Sequence, residues 1–456
     1  MSVADNLNQI KACKESIRQA IIDKGVDMTD VPFTGYAEKI GEISGGGGTT
    51  DYVEIRNQLT EYSNDSLYTI GAYLFAGCTS LTEVDIPNSN TIETCAFKGC
   101  SSLATADFPN VLTVGLNAFQ GCGNLTAIDL PNCYSIEAES FDGCSSLSTV
   151  NLPKCNHINY GAFRNCTSLT SISLPECSQL IFDAFYNCTS LSTVNLPKCE
   201  YISNNVFNQT AVVSLDLPKV AKVEDGGIAN CSNLQSVNLP KCERLNWGAM
   251  VWNPNLTTIN IPVCVNIAGG VFENDSSLTE IDLSKTYWCR LEDTGAFNGT
   301  PLMDGEGTIK VHNSVLSKFQ SDSNWSQLAE RFVGVGDTDS QMLAFDNGRV
   351  YGDTYVIDSN YLEFLGISSD SVTSLDLPNV DRIYKNDWGE GISFENYNSL
   401  TQISLANATY IGNYGFKYCF SLTSISLPKC KYIGSQAFDN DVNIQSIDLP
   451  ECETVG

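Results

Sequence analysis

Residues 158–179 read INYGAFRNCTSLTSISLPECSQ, and a close paraphrase of that stretch returns every 22 residues along most of the chain. Ten consecutive coils begin at Ile70, Ile92, Val114, Ile136, Ile158, Leu180, Ile202, Val223, Leu245 and Ile267, with one coil of 21 residues among them. A unit this short cannot bury its own Phe, Leu and Ile, so neighbours must stack in register and share one continuous core. The length of 456 residues therefore counts coils, where in another chain it would suggest several domains.

Within a coil the pattern is L-x-x-I-x-L-P-x-C, as in Leu169, Ile172, Leu174, Pro175 and Cys177, preceded by an aromatic plug such as Phe163. Ile172 and Leu174 alternate around Ser173, the signature of a strand with one buried face, and Pro175 ends it because it has no N–H to donate. One short strand per coil is expected, stacked ~4.8 Å apart into a parallel sheet on one side of the solenoid.

Cysteines recur in two columns. The column after the proline holds Cys133, Cys155, Cys177, Cys199, Cys242, Cys264, Cys430 and Cys452, with Val111, Val220, Val380 and Ala408 as substitutes. Only a small apolar side chain is required there, and a free thiol serves as one. The other column holds Cys78, Cys100, Cys122, Cys144, Cys166, Cys188, Cys231 and Cys419, replaced by Thr210, Asn253, Asp275 and Asp441. Those substitutes form turns and caps, so this side chain is expected to accept a backbone N–H at a turn. Parallel Cβ directions disfavour a disulfide ladder, and coil spacing is unlike the clustered spacing of zinc ligands.

This repeat resembles the leucine-rich repeat, and its length together with GAFxxCxSL is similar to the BspA-like (Treponema-type) branch, over about residues 55–332 and 372–456. The resemblance implies a solenoid used mainly for binding and adhesion. Regularity stops at residues 307–335, where Val315, Leu316, Phe319, Trp325, Leu328 and Phe332 suit two short helical turns that cap the open end of the first array, residues 55–306. A second array follows at 336–456, with repeats resuming at Leu375 and Leu377, and the sequence stops inside a coil at ECETVG. A continuing polypeptide or another chain is expected to cover that end.

Residues 1–43 form a different module. Leu7, Ile10, Ile17 and Ile21 fall at a and d spacing, Gly25 is a stop signal, and a helix this short needs a partner, either another copy or a docking protein. A glycine-rich hinge at 44–54 follows. The segment IRQAIIDKGVDMTDVPFTGYAEKI is similar to N-terminal segments of tail-associated proteins of gut bacteriophages.

The charge of −28, from 25 Lys plus Arg against 53 Asp plus Glu, disfavours nucleic acid and anionic membranes as partners. No apolar stretch reaches signal-peptide or membrane-span length, so a cytoplasmic start and reduced thiols are expected. The two histidines, His157 in a coil loop and His312 in the cap, sit in no nucleophile or metal motif, and no catalytic residue or cofactor is expected. The outward strand column begins Asp85, Asp107, Asp129; the alternatives there are a wet polar face and calcium bridging. A second variable column carries Tyr160, Phe182 and Trp247, with Tyr186 and Trp252 nearby. These five are the candidate ligand-binding residues, as a glycan platform or a protein hot spot, against the alternative of local packing.

The fold expected is thus a repeat solenoid of leucine-rich repeats in two arrays behind a short helical module. The function expected is a non-enzymatic structural and binding protein of a bacteriophage virion. It would be made in the host cytoplasm, joined as an oligomer to other virion proteins through its N-terminus, and directed at a host-surface glycan or protein. The alternative is a BspA-like adhesin on the bacterial cell surface.

Overall fold

The computed structural model describes residues 59–336, 343–346, 349–351, 362, 367–383 and 393–456. The helical module with Leu7, Ile10, Ile17 and Ile21, and the glycine hinge, lie outside the described residues.

Coils stack as parallel β-solenoid turns at the 22-residue period, and each coil contributes two strands where the repeat pattern suggested one. The expected strand is the three-residue segment, as in Ser171–Ser173. The second is a two-residue segment at the start of each coil, as in His157–Ile158. Two residues are too few to show an alternation, and the strand emerges only because neighbouring coils offer ladder partners. Strands of this second kind, from Thr69–Ile70 to Arg290–Leu291, form one eleven-stranded parallel sheet. The three-residue strands of the first array run in groups of five, two and six, the last group including two strands of the cap. Register is strict: Ile172 pairs with Val194 and Ile158 with Leu180, one repeat apart.

Between the sheets lies a single apolar core. Its spine is a ladder of rings, Phe75, Phe97, Phe119, Phe141, Phe163, Phe185 and Phe207, stacked with centroids 5.1, 5.0, 5.1, 5.2, 5.6 and 6.0 Å apart. Ile228 and Met250 replace rings in two coils, and Phe272 and Phe297 resume them. Backbone bonds run alongside, the Phe97 N–H donating to the Ala118 carbonyl at 2.7 Å and the Phe119 N–H to Ser140 at 2.7 Å. Truncating one such ring to alanine costs about 3–5 kcal/mol.

The cap does more than the expected helical turns. Thr308–His312 and Phe332–Val335 continue the parallel sheet, while a helix at Leu316–Ser321 and a 3-10 turn at Ser326–Arg331 fold over the core. Trp325 closes the ring ladder 5.8 Å from Phe297, fully buried, and its indole N–H donates to the Cys289 carbonyl at 2.8 Å. The second array begins its own core, and Val263 of the first array is buried in it, with Val265 packed beside. Those valines stand where the preceding coil carries Lys241 and Glu243. At the rim of this contact the Lys241 ammonium meets Asp381 at 2.7 Å and Arg382 approaches Glu200 at 4.0 Å.

The thiols after the prolines are buried, and Val111, Val220, Val380 and Ala408 are buried in the same column; Cys452 alone among the described cysteines is half-buried. All described cysteines are free thiols. Burial pushes the Cys133 and Cys199 thiols up to about 12.

The other column corrects the expectation of an N–H acceptor. Its thiols donate, Cys100 to the Phe75 carbonyl at 3.0 Å and Cys188 to Phe163 at 3.0 Å, because sulfur is a poor acceptor and the carbonyl one coil back is within reach. Three of the four substitutes accept, Asn253 Oδ1 from the Cys231 N–H at 2.9 Å, Asp275 Oδ1 from the Asn253 N–H at 2.6 Å and Asp441 Oδ1 from the Cys419 N–H at 2.7 Å, while the Thr210 hydroxyl donates to the Phe207 carbonyl at 2.8 Å.

Asp275 is therefore a carboxyl in a seam built for thiols. Its Oδ2 has no hydrogen-bond partner, and burial pushes its pKa up to about 9, against the Asn253 N–H, which lowers it. The unfolded carboxyl titrates near 3.8, so between these values the folded chain holds a proton that the unfolded chain has lost. Stability from this group is fully present below the lower value and falls as pH rises through the window. Asn253 shows that an amide fits the column. Asp275→Asn is expected to raise Tm by a margin that widens steadily in melts from about pH 5 to about pH 9; a constant margin, or none, contradicts this assignment.

Candidate binding ridge on the coil turns

Each two-residue strand is followed by a turn that delivers the ladder ring to the core, and the residue two places after the first apolar position points away from that core. The candidate aromatics stand on this turn. Phe182 is 48% exposed, Trp247 60% and Trp252 55%, while Tyr160 is exposed and Tyr186 half-buried. Local packing covers part of each side chain and leaves a large surface exposed on Phe182, Trp247 and Trp252.

The five fall into two groups. Tyr160 and Phe182 occupy successive coils, joined by the Gly161 N–H donating to the Phe182 carbonyl at 2.9 Å, and Tyr186 lies on the same turn as Phe182. Trp247 is three coils beyond Phe182, with Asn204 and Asp225 between, a gap of about 15 Å at ladder spacing. Trp252 ends the turn that Trp247 begins.

Polar neighbours hold the two tyrosines in place. The Arg164 guanidinium donates to the Tyr160 hydroxyl at 3.2 Å, lies 5.7 Å from the centre of that ring, and is itself tied to Asp142 at 3.0 Å and Glu139 at 3.3 Å. Burial opposes ionisation of Asp142, but the hydrogen bonds from Arg164, Gln120 and Asn165 outweigh it and hold the carboxyl below its ordinary value. Gln209 donates to the Tyr186 hydroxyl at 3.4 Å. The Trp247 indole lies against Gly269 of the next coil so closely that a Cβ there would come within 2.5 Å of the ring. The outer end of the indole thus rests against the Gly269 backbone while the side chain stays largely exposed, so apolar ring surface remains available to a ligand.

Trp252 adds a conformational observation. Its φ is 63°, in a column that elsewhere holds Gly77, Gly99, Gly121, Gly143, Asn165, Asn187, Asn230 and Asn274. A bulky residue in left-handed backbone costs roughly 1–2 kcal/mol, and Trp252 nevertheless keeps more than half of its surface exposed. Three further aromatics share such positions: Tyr73, Tyr414 and Tyr418, with φ of 60° each. The repeat alone did not single these out. The signal available was an aromatic residue in a column otherwise filled by Gly, Asn and other polar residues.

On the three-residue strands Asp85, Asp107 and Asp129 are exposed and in register with one another. Partial burial, then Asp65 and Asp107, raise the Asp85 carboxyl. Amides take over along the column: Asn151 donates to Asp129 at 2.8 Å, Asn195 to Ser173 at 2.9 Å and Asn238 to Asp216 at 2.7 Å. Among the described residues no group of three or more His, Cys, Asp or Glu side chains is placed to hold a metal ion, and from Asp129 onward the polar face carries these cross-coil hydrogen bonds.

His157 differs from the loop placement expected of it: it lies on a two-residue strand, exposed, with Nδ1 2.6 Å from Asn156 Oδ1. His312 is buried in the cap, its Nδ1 accepting from the Ser314 N–H at 3.2 Å. No helix among the described residues is long and apolar enough to cross a membrane.

Among solved structures the chain is similar to a leucine-rich repeat protein from Bacteroides ovatus, at 21% identity over 82% of this chain and 80% of that one, TM-score 0.45. It is similar also to a leucine rich cell surface protein from Faecalibacterium prausnitzii, at 22% identity over 61% and 83%, TM-score 0.32. A third is a leucine rich repeat protein of T. pallidum, at 20% identity over 48% and 78%, TM-score 0.26. Likeness at this level concerns the fold alone. No curated protein matches the chain. The family described as BspA type leucine rich repeat region (6 copies) matches over residues 58–133, 112–226, 200–320 and 370–455. With most of its length matched and its coils stacked as the pattern requires, the chain belongs to the BspA-type leucine-rich repeat family.

Proposed function

We propose that this protein is a non-enzymatic attachment protein of the BspA-type, displayed on a bacterial cell surface, whose first array presents the ridge of Tyr160, Phe182, Tyr186, Trp247 and Trp252 to a glycan or protein ligand. The observation that carries the reading is Trp247, largely exposed and seated on Gly269: a large apolar surface outside the core and held rigid by the next coil. Such preorganisation favours binding because little ordering remains to be done on contact. The family supplies the rest of the support, since its solenoids serve mainly binding and adhesion. A charge of −28 keeps a long exposed rod soluble and turns away nucleic acid.

The bacteriophage reading, in which residues 1–43 join other virion proteins and the arrays project toward a host, stands on a segment outside the described residues. Two experiments separate and test these accounts. In the first, an antibody against residues 70–288 is applied to source cells and to purified phage particles; label on cells with bare particles is expected, and label on particle appendages would move the protein to the virion. In the second, the full chain is tested for capture by intact cells. The triple replacement Tyr160→Ala, Phe182→Ala, Trp247→Ala is expected to lower capture at least tenfold while Tm holds within a few degrees. Gly269→Ala, which unseats the indole without removing it, is expected to lower capture part of the way. Undiminished capture in both variants would sink the ridge.

A further inference from the structure

The second array carries an aromatic cluster built on the same turn but of different design. Two positions of each turn have left-handed backbone, one before and one after the ladder ring. At the first, other coils place Asn117, Asp183, Asn205 and Gly226; at the second they place Asn165, Asn187, Asn396 and Asn440. In the turn around Phe416 both positions are tyrosine, Tyr414 and Tyr418, each at φ 60°. That backbone disfavours a bulky side chain, yet both rings stand there, Tyr414 40% exposed and Tyr418 half-buried.

Lys417 fixes the two rings. Its Nζ lies 4.9 Å from the centre of the Tyr414 ring and 4.8 Å from that of Tyr418, and it is tied to Asp439 at 3.1 Å, leaving the lysine side chain 13% exposed. Phe420, 46% exposed, extends the surface, its ring 5.9 Å from that of Tyr418. The result is a rigid aromatic surface with phenol hydroxyls and a carboxylate at its edge.

We propose that Tyr414, Tyr418 and Phe420, held by Lys417 and Asp439, form a second binding site, in the second array, for an uncharged pyranose glycan. The chemistry selects against charge of either sign. An anionic ligand finds the lysine already paired with Asp439, on a chain of net charge −28. A cationic one finds one face of each tyrosine already taken by Lys417, whose charge repels it from the remaining ring surface. What remains is a ligand with an apolar face to lie on the rings and hydroxyls at its rim to meet the Asp439 carboxylate and the phenols, which describes a neutral sugar ring. Lys417 acts as a positioning residue and touches the ligand little. This site goes beyond the ridge reading and stands or falls separately from it.

The test is the double replacement Tyr414→Asn, Tyr418→Asn in the full chain. Asparagine already occupies both backbone positions in other coils, at Asn117, Asn205, Asn396 and Asn440, so Tm is expected to hold or rise. Binding is measured against immobilised glucans, mannan, galactan and N-acetylglucosamine oligomers, with heparin and polylysine as charged probes. All measurements are made with Tyr160, Phe182, Tyr186, Trp247 and Trp252 each replaced by alanine, so that the ridge contributes nothing to the signal. Retention on at least one neutral glycan, lost tenfold or more in the asparagine variant at undiminished Tm, supports the site. It is overturned by retention on none of them, by retention the variant does not change, by retention on heparin or polylysine alone, or by a fall in Tm showing that the tyrosines are structural.

Discussion

Everything in this molecule depends on the registered stacking of one coil on the next. A single coil has one ring, a few aliphatic side chains and no partner for its edge amides, and none of these is satisfied until a neighbour lies against it. Stacking solves both problems together: the Phe rings meet at 5.0–6.0 Å, and the amides beside them donate to the carbonyls of the following coil. A slip of one residue would turn every inward side chain outward, so the period is enforced along the whole rod. An array of this kind stays open at its ends, which is why Trp325 and the cap strands matter: they supply the ring and the ladder partners that the next coil would have supplied.

That constraint divides the coil into two populations of side chains. Inward columns are nearly invariant along the chain because each must match two neighbours. Where they vary, the variation has a local cost, as with Asp275, a carboxyl that stays protonated because its seam was shaped for thiols that donate. Outward columns are held more loosely, by cross-coil contacts such as Asn151 to Asp129 and Trp247 against Gly269, and their residue types vary more freely. The junction of the arrays is an intermediate case: Val263 and Val265 are outward residues of one solenoid that became inward residues of another contact.

Much of this could be read from the sequence. Period, core columns, the small-residue role of the thiols after proline and the outward direction of Asp85 or Tyr160 all follow from comparing coils with one another. What escaped were features that exist only between coils. The two-residue strands have no internal pattern; the donor role of Cys100 needs the carbonyl of Phe75, twenty-five residues away; the support beneath Trp247 is a glycine in the next turn. Left-handed backbone at Trp252, Tyr414 and Tyr418 was latent in the Gly and Asn columns but could not be told from ordinary turn preference without coordinates. The candidate ridge was therefore visible as a set of residues and invisible in what supports each ring.

The central claim is that the exposed aromatics contribute nothing to the stack that carries them. Hydrogen exchange measured by mass spectrometry on the full chain tests it directly, comparing the parent with a variant in which Tyr160, Phe182, Tyr186, Trp247 and Trp252 are replaced by asparagine. The account predicts equal protection of the amides of Phe163, Phe185, Phe207 and Met250 in both proteins, since their bonds run coil to coil beneath the turns. Loss of protection through coils 158–252 in the variant would contradict it and return these side chains to the core.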